Sequence, residues 1–169
     1  MAASDPGAGR WVLLAYRMPR EPSSPRIAVW RKLERLGVAR LGDGLVALPA
    51  DARTREQFDR IAEEIGEAHG SATVWLAEPA TLAQEREIAA AMREARAAEY
   101  RAVIDEATTT SAAGSPAERA RVVRRLRNEL RRIARRDFFP PRERDAARTT
   151  VQSLADDNAP SQMAEQEQS

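Results

Sequence analysis

An α+β fold with elements in the order β-α-β-β-α-β, extended by a long helix and an arginine-rich helical segment, is what this 169-residue sequence predicts. Three observations predict it. Short apolar runs at residues 11–16, 38–41, 45–48 and 73–77 are bounded by Gly and Pro, as strands are. Two stretches between those runs repeat apolar residues at helical spacing. Beyond Thr81 the strand signals stop, and helical periodicity continues to about residue 154.

Taken in order, residues 11–16 (Trp-Val-Leu-Leu-Ala-Tyr) are too few for a helix and suit a buried central strand. Pro19, Pro22 and Pro25 forbid regular structure as far as Ser24, which can cap a helix beginning at Pro25, where a missing N–H costs nothing. Ile27, Trp30, Leu33 and Leu36 follow at helical spacing, and Gly37 suits the C-terminal cap. Trp11 and Trp30 are expected in the core. Residues 38–41 and 45–48 flank the turn signal Gly42-Asp43-Gly44 and predict a hairpin. Residues 54–68 carry Phe58, Ile61, Ala62 and Ile65 on one face, Gly70 breaks that helix, and His69 beside it is expected to cap rather than ligate. Residues 73–77 supply the fourth strand, stopped by Pro79. The order over residues 10–79 is the split βαβ arrangement of ferredoxin-like domains, with both helices on one face of an antiparallel sheet.

The open sheet face needs cover, and a helix over residues 80–108 is expected to supply it. Thr81 caps this helix, with Leu82, Ile88 or Ala89, Met92, Ala95, Tyr100, Val103 and Ile104 as its apolar positions. Residues 109–115 form a polar linker. Ser115-Pro116-Ala117-Glu118 starts the next helix, opening an arginine-rich extension over residues 116–155 that ends with a short helix from about residue 142. Residues 1–9 and the acidic residues 156–169 are expected to be disordered.

Cysteine is absent, which excludes disulfides and thiolate chemistry, and one His cannot build a metal cluster, so no metal or cofactor is expected. No run approaches the roughly 18 apolar residues of a membrane span, and a soluble cytoplasmic protein without a membrane partner is expected. Net charge is only +1, but it is unevenly spread. Residues 111–150 carry 12 basic against 5 acidic residues, whereas residues 151–169 carry none against 4. At about 100° per residue, Val122, Val123, Leu126, Leu130 and Ile133 share one stripe. Arg121, Arg124, Arg125, Arg127, Arg131, Arg132, Arg135 and Arg136 occupy the rest of the circumference. A guanidinium surface of this kind can neutralise phosphates. Glu118, Glu129, Glu85, Glu87, Glu94 and Glu99 are the acids positioned to quench it.

Trp11 to Tyr16, Pro19, Ser23-Ser-Pro-Arg-Ile-Ala-Val-Trp-Arg31, Leu36-Gly37, Gly44, Leu48-Pro49, Arg96-Ala-Ala-Glu-Tyr100 and Asp137-Phe-Phe-Pro140 resemble the N-terminal domain of the chromate-resistance regulator family ChrB. The resemblance runs from about residue 10 to 154. It implies a chromate-responsive transcriptional regulator that binds its own promoter DNA, with DNA as partner and chromate as effector. The resemblance covers the N-terminal domain, and the C-terminal domain that usually follows in ChrB proteins is expected to be missing from this chain. A protein-interaction subunit that completes a separately encoded ChrB C-terminal sensing domain is therefore the alternative expectation. The first βα unit and hairpin are more weakly similar to the ferredoxin-like domains of PaaX regulators and of small CRISPR-associated endoribonucleases. Those nucleases place an acid just after the first strand, whereas here Tyr16 is followed by Arg17 and no carboxylate appears before Glu21. A nuclease-like enzyme is thus the weakest reading, and no catalytic residues are assigned.

DNA contacts are expected from the eight arginines of the 116–136 helix, and a homodimer is expected because operators are commonly two-fold symmetric. Two further clusters are candidates. Ser23 and Ser24 at a helix N-terminus, with Arg17, Arg20 and Arg26, can hold an oxyanion such as chromate or phosphate. Arg96, Glu99 and Tyr100 can form a polar cluster against the open sheet face, Arg96 and Glu99 pairing at i, i+3.

Overall fold

The computed structural model describes residues 9–166, and the side chains of residues 9–159. The expectation of disorder at residues 1–8 and 167–169 lies outside the described residues. Four strands and five helices follow in the order β1 (Trp11–Arg17), α1 (Ser23–Leu36), β2 (Ala39–Gly42), β3 (Leu45–Pro49), α2 (Ala52–Glu67), β4 (Ser71–Ala77), α3 (Leu82–Ala113), α4 (Pro116–Ala134) and α5 (Glu143–Gln166). They divide into two compact units between Met92 and Arg93.

In the first unit the sheet order is β2-β3-β1-β4 with every neighbour antiparallel, as the ferredoxin-like reading requires. β1 is central, pairing Val12 with Leu48 and Leu14 with Val46 on one side and Leu13 with Trp75 on the other. Alternation sends Val12, Leu14, Val46 and Leu48 into a core shared with Val29, Leu33, Phe58, Ile61 and Ile65, all buried. α1 is rotated from its expected face. Val29 and Leu33 are its buried residues, Ile27 is 45% exposed, and Trp30 lies half-buried with the Arg40 guanidinium 5.4 Å over its ring. The helix also starts at Ser23, with Pro22 in the cap position and no side-chain cap, so Ser24 does not perform the expected role. Gly37 does close the helix, in the left-handed conformation at φ 72°.

α2 begins earlier than its hydrophobic pattern suggests because Asp51 and Thr54 form a reciprocal capping box, Asp51 accepting from the Thr54 N–H at 2.7 Å and Thr54 from the Asp51 N–H at 3.0 Å. Its end corrects the role given to Gly70. His69 takes the left-handed position (φ 63°), its N–H bonds the Gly66 carbonyl at 3.0 Å, and the Gly70 N–H reaches the Ile65 carbonyl at 2.8 Å. That pair of bonds is a Schellman cap. Gly70 is needed for closeness instead: a Cβ there would lie 2.6 Å from the Arg17 carbonyl oxygen and 2.7 Å from Ile65 Cγ2. Gly9, expected in a disordered end, donates to Glu85 Oε1 at 2.8 Å, and Trp11 Nε1 donates to the same oxygen at 3.2 Å.

α3 runs through the boundary between the units and takes up most of the expected linker at residues 109–115, ending at Ala113. The Thr108 and Thr109 hydroxyls donate to the Ile104 and Asp105 carbonyls, at 2.8 and 2.9 Å, so these polar residues continue the helix as far as Ala113. Leu82 is 59% exposed rather than core. From Arg93 on, the core is one cluster: Tyr100, Val103 and Ala107 of α3, Val123, Leu126 and Ile133 of α4, and Ala147, Val151 and Leu154 of α5. The tail expected to be disordered from residue 156 is instead helical through Gln166, with Asn158 buried.

The two glycines of the α2–β4 corner separate propensity from packing. Gly70→Ala is expected to destabilise the fold by about 1–3 kcal/mol through overpacking. Gly66→Ala, where a Cβ meets nothing within 4 Å inside a helix, is expected to stabilise it by about 0.5–1 kcal/mol. Urea midpoints at constant slope check both.

Candidate nucleic-acid interface

α4 is built as its periodicity dictates. Ser115 caps it by accepting from the Glu118 N–H at 3.3 Å, Pro116 occupies the first turn, and Glu118 lies near the positive end of the helix dipole. Val123, Leu126 and Ile133 are buried, with Val122 and Leu130 packed against the same cluster. The arginines fall opposite, and their partners divide them into two sets.

Arg125 and Arg136 are tied to α3. Arg136 Nη1 donates to Glu99 Oε1 at 2.5 Å and Oε2 at 2.6 Å, and Arg125 donates to both oxygens of Glu106, Nη1 at 3.1 Å. Such two-point contacts fix orientation as well as charge. Hydrogen bonding and charge from Glu106 hold the Arg125 guanidinium above its ordinary value. Arg119 adds a third tie, donating to the Ser111 carbonyl at 3.0 Å. The partners 111 with 119, 106 with 125 and 99 with 136 describe an antiparallel helical hairpin. Arg132 reaches Glu129 on its own helix at 3.5 Å, an exposed pair of small energetic weight.

The remaining five make no ion pair among the described residues. Arg127 donates to the neutral Gln152 amide at 3.3 Å and Arg131 to Asn128, while Arg121, Arg124 and Arg135 make no ion pair or hydrogen bond among the described residues. Arg124, Arg127, Arg131 and Arg135 recur at i, i+3, i+7 and i+11, which makes an exposed row about 16 Å long at 1.5 Å per residue. Laid along the axis of a DNA duplex, a row of that length spans about five phosphate steps of one strand, at roughly 3.4 Å each.

Arg96, Glu99 and Tyr100 do come together, with partners from the end of α4. Arg96 Nε approaches Glu99 Oε2 at 3.2 Å, Glu99 also holds Arg136, and the Tyr100 hydroxyl donates to Asp137 Oδ2 at 2.8 Å. Tyr100 belongs to the helical core, whereas an open sheet face was expected behind it. Burial, followed by the hydrogen bond and charge of Asp137, raises the Tyr100 phenol well above its ordinary value. Burial lowers the Arg96 guanidinium, which Glu99 partly offsets. The cluster ties the end of α4 to α3.

The candidate oxyanion residues lie on three successive segments of the chain. Arg17 ends β1, Arg20 lies exposed in the turn after it, and Ser23 and Ser24 open α1. Of the five, Arg26 lines a pocket of about 340 Å³ with Tyr16, Trp30 and Arg40. Among the described residues no group of three or more His, Asp or Glu could hold a metal, and no helix is long and apolar enough to cross a membrane. Glu106 and Asp137 were missed in the sequence. The seven-residue spacing of Glu99 and Glu106, set against Arg136 and Arg125, is the signal that marks the hairpin.

These features define a ferredoxin-like α+β domain followed by a helical unit with an arginine face. The chain belongs to the ChrB N-terminal domain family: the model of the family described as "Protein ChrB, N-terminal" matches residues 26–113. It is 30% identical over 131 residues to Protein ChrB of Cupriavidus metallidurans, an alignment that covers 77% of this chain. The chain spans 40% of the length of that relative.

Tyr100→Phe is expected to cost about 1–3 kcal/mol, because the partly buried Asp137 carboxylate loses its donor. The folded chain holds the Tyr100 proton more tightly than the unfolded chain. That stabilisation is complete below the ordinary value of 10.0 and is lost as pH rises above it. Urea titrations on both sides of pH 10 should show wild type losing more stability than Tyr100→Phe.

Proposed function

We propose that this chain is the DNA-contacting part of a chromate-responsive transcriptional regulator. The observation that carries the reading is the exposed row Arg124, Arg127, Arg131 and Arg135, with Arg121 beside it, which makes no ion pair among the described residues and stands on a helix otherwise clamped in place. Family membership and the resemblance to ChrB regulators support promoter DNA as the polyanion and chromate as the effector. Guanidinium groups in a row contact phosphates and give affinity that falls with salt. Arg125 and Arg136, already satisfied by carboxylates, act in this reading as positioning residues.

Fluorescence anisotropy with the chain's own upstream DNA and a scrambled duplex tests this. Reversal of Arg124, Arg127, Arg131 and Arg135 to Glu is expected to abolish binding to both duplexes while leaving the circular dichroism spectrum unchanged. Each single Arg→Gln change in the row should reduce the slope of log affinity against log salt by about 1. Retained binding by the fourfold variant would remove this face from the mechanism. Preference for the upstream duplex that weakens with added chromate would support a sensor within the chain, and indifference to chromate would count against one.

A further inference from the structure

The two edges of the sheet are treated differently. β2, at one edge, is four residues long, carries Arg40, and is interrupted by a bulge between Arg40 and Gly42. Shortness, charge and a bulge are the usual protections against unwanted strand pairing. β4, at the other edge, has none of them. Its seven residues Ser-Ala-Thr-Val-Trp-Leu-Ala contain no charge, Pro or Gly and pair without irregularity along the whole of β1. Its outer side presents backbone donors and acceptors that no strand takes up among the described residues. Trp75 on the open sheet face is 56% exposed and Leu76 on the opposite face 50%. An isolated exposed Leu is ordinary. Exposed bulk on both faces of one bare, uncharged edge marks a pairing site.

We infer that β4 pairs antiparallel with β4 of a second copy of this chain, about a two-fold axis at Val74, to make a continuous eight-stranded sheet. The sequence of the strand selects a second copy. Centring the pairing on Val74 sets Trp75 opposite Thr73 and Leu76 opposite Ala72, so each bulky exposed side chain meets a small one, twice over. Self-pairing thus satisfies backbone and apolar groups in one isologous contact. Nothing in it depends on DNA, so its failure and that of the arginine row are read separately.

Sedimentation equilibrium on the full chain over a range of concentrations is the test. Wild type should approach twice the 18.7 kDa of one chain. Thr73→Lys combined with Trp75→Lys places two like charges opposite each other on both sides of the axis and should give the single mass with an unchanged circular dichroism spectrum. Thr73→Glu combined with Trp75→Lys makes each contact an opposite-charge pair and should restore the double mass. The sequence has no Cys, so Val74→Cys introduces one thiol per chain, at the axis, and mild oxidation should link two chains. A wild-type chain of single mass at every concentration overturns the pairing. So does a dimer that survives the Thr73→Lys, Trp75→Lys change or that Val74→Cys fails to link.

Discussion

Rotation of α4 about its own axis decides which of its arginines meet solvent, and two kinds of contact fix that rotation. The apolar stripe of Val123, Leu126 and Ile133 sets it coarsely, since those residues must enter the cluster they share with α3 and α5. The carboxylates of Glu99 and Glu106 set it finely, each gripping one guanidinium at two points. Without these clamps eight arginines would be a diffuse positive cloud. With them, two are consumed as struts and a defined row is left facing outward.

The same economy governs the end of α4. Asp137 and Arg136, adjacent in sequence, take Tyr100 and Glu99, adjacent on α3. A phenol whose hydroxyl is answered by a carboxylate can be buried among aliphatic side chains without an orphaned polar end. Phe138, Phe139 and the prolines after them then turn the chain into α5. Affinity for a polyanion, if it resides in the exposed row, rests on a polar set that never touches the ligand.

Strand order and helix count were legible in the sequence because the apolar runs are short, the helical stripes are clean and Gly and Pro stand at most boundaries. The errors arose where a polar side chain serves the backbone instead of breaking it. Thr108 and Thr109 read as linker residues but donate to carbonyls one turn back and lengthen α3. Asp51 caps α2 although the hydrophobic pattern begins only at Thr54. α1 buries Val29 and Leu33 instead of its predicted face, and Arg40, on another element, covers Trp30. Of the arginine face, sequence alone gave the membership and not the division, since the partners at Glu99 and Glu106 lie on a different helix.

The three tryptophans all lie before Met92, and their surroundings differ as widely as a small domain allows. Trp11 is buried with its indole nitrogen on Glu85, Trp30 sits half-buried beneath a guanidinium, and Trp75 stands open to water. The unit that begins at Arg93 contains no tryptophan at all, and its aromatic residues are Tyr100, Phe138 and Phe139. Indole emission therefore follows the sheet unit alone, while helical ellipticity is weighted towards the unit that carries α4 and α5. The chain comes with its own pair of optical channels, so that the order in which its two halves lose structure can be read without a single attached dye.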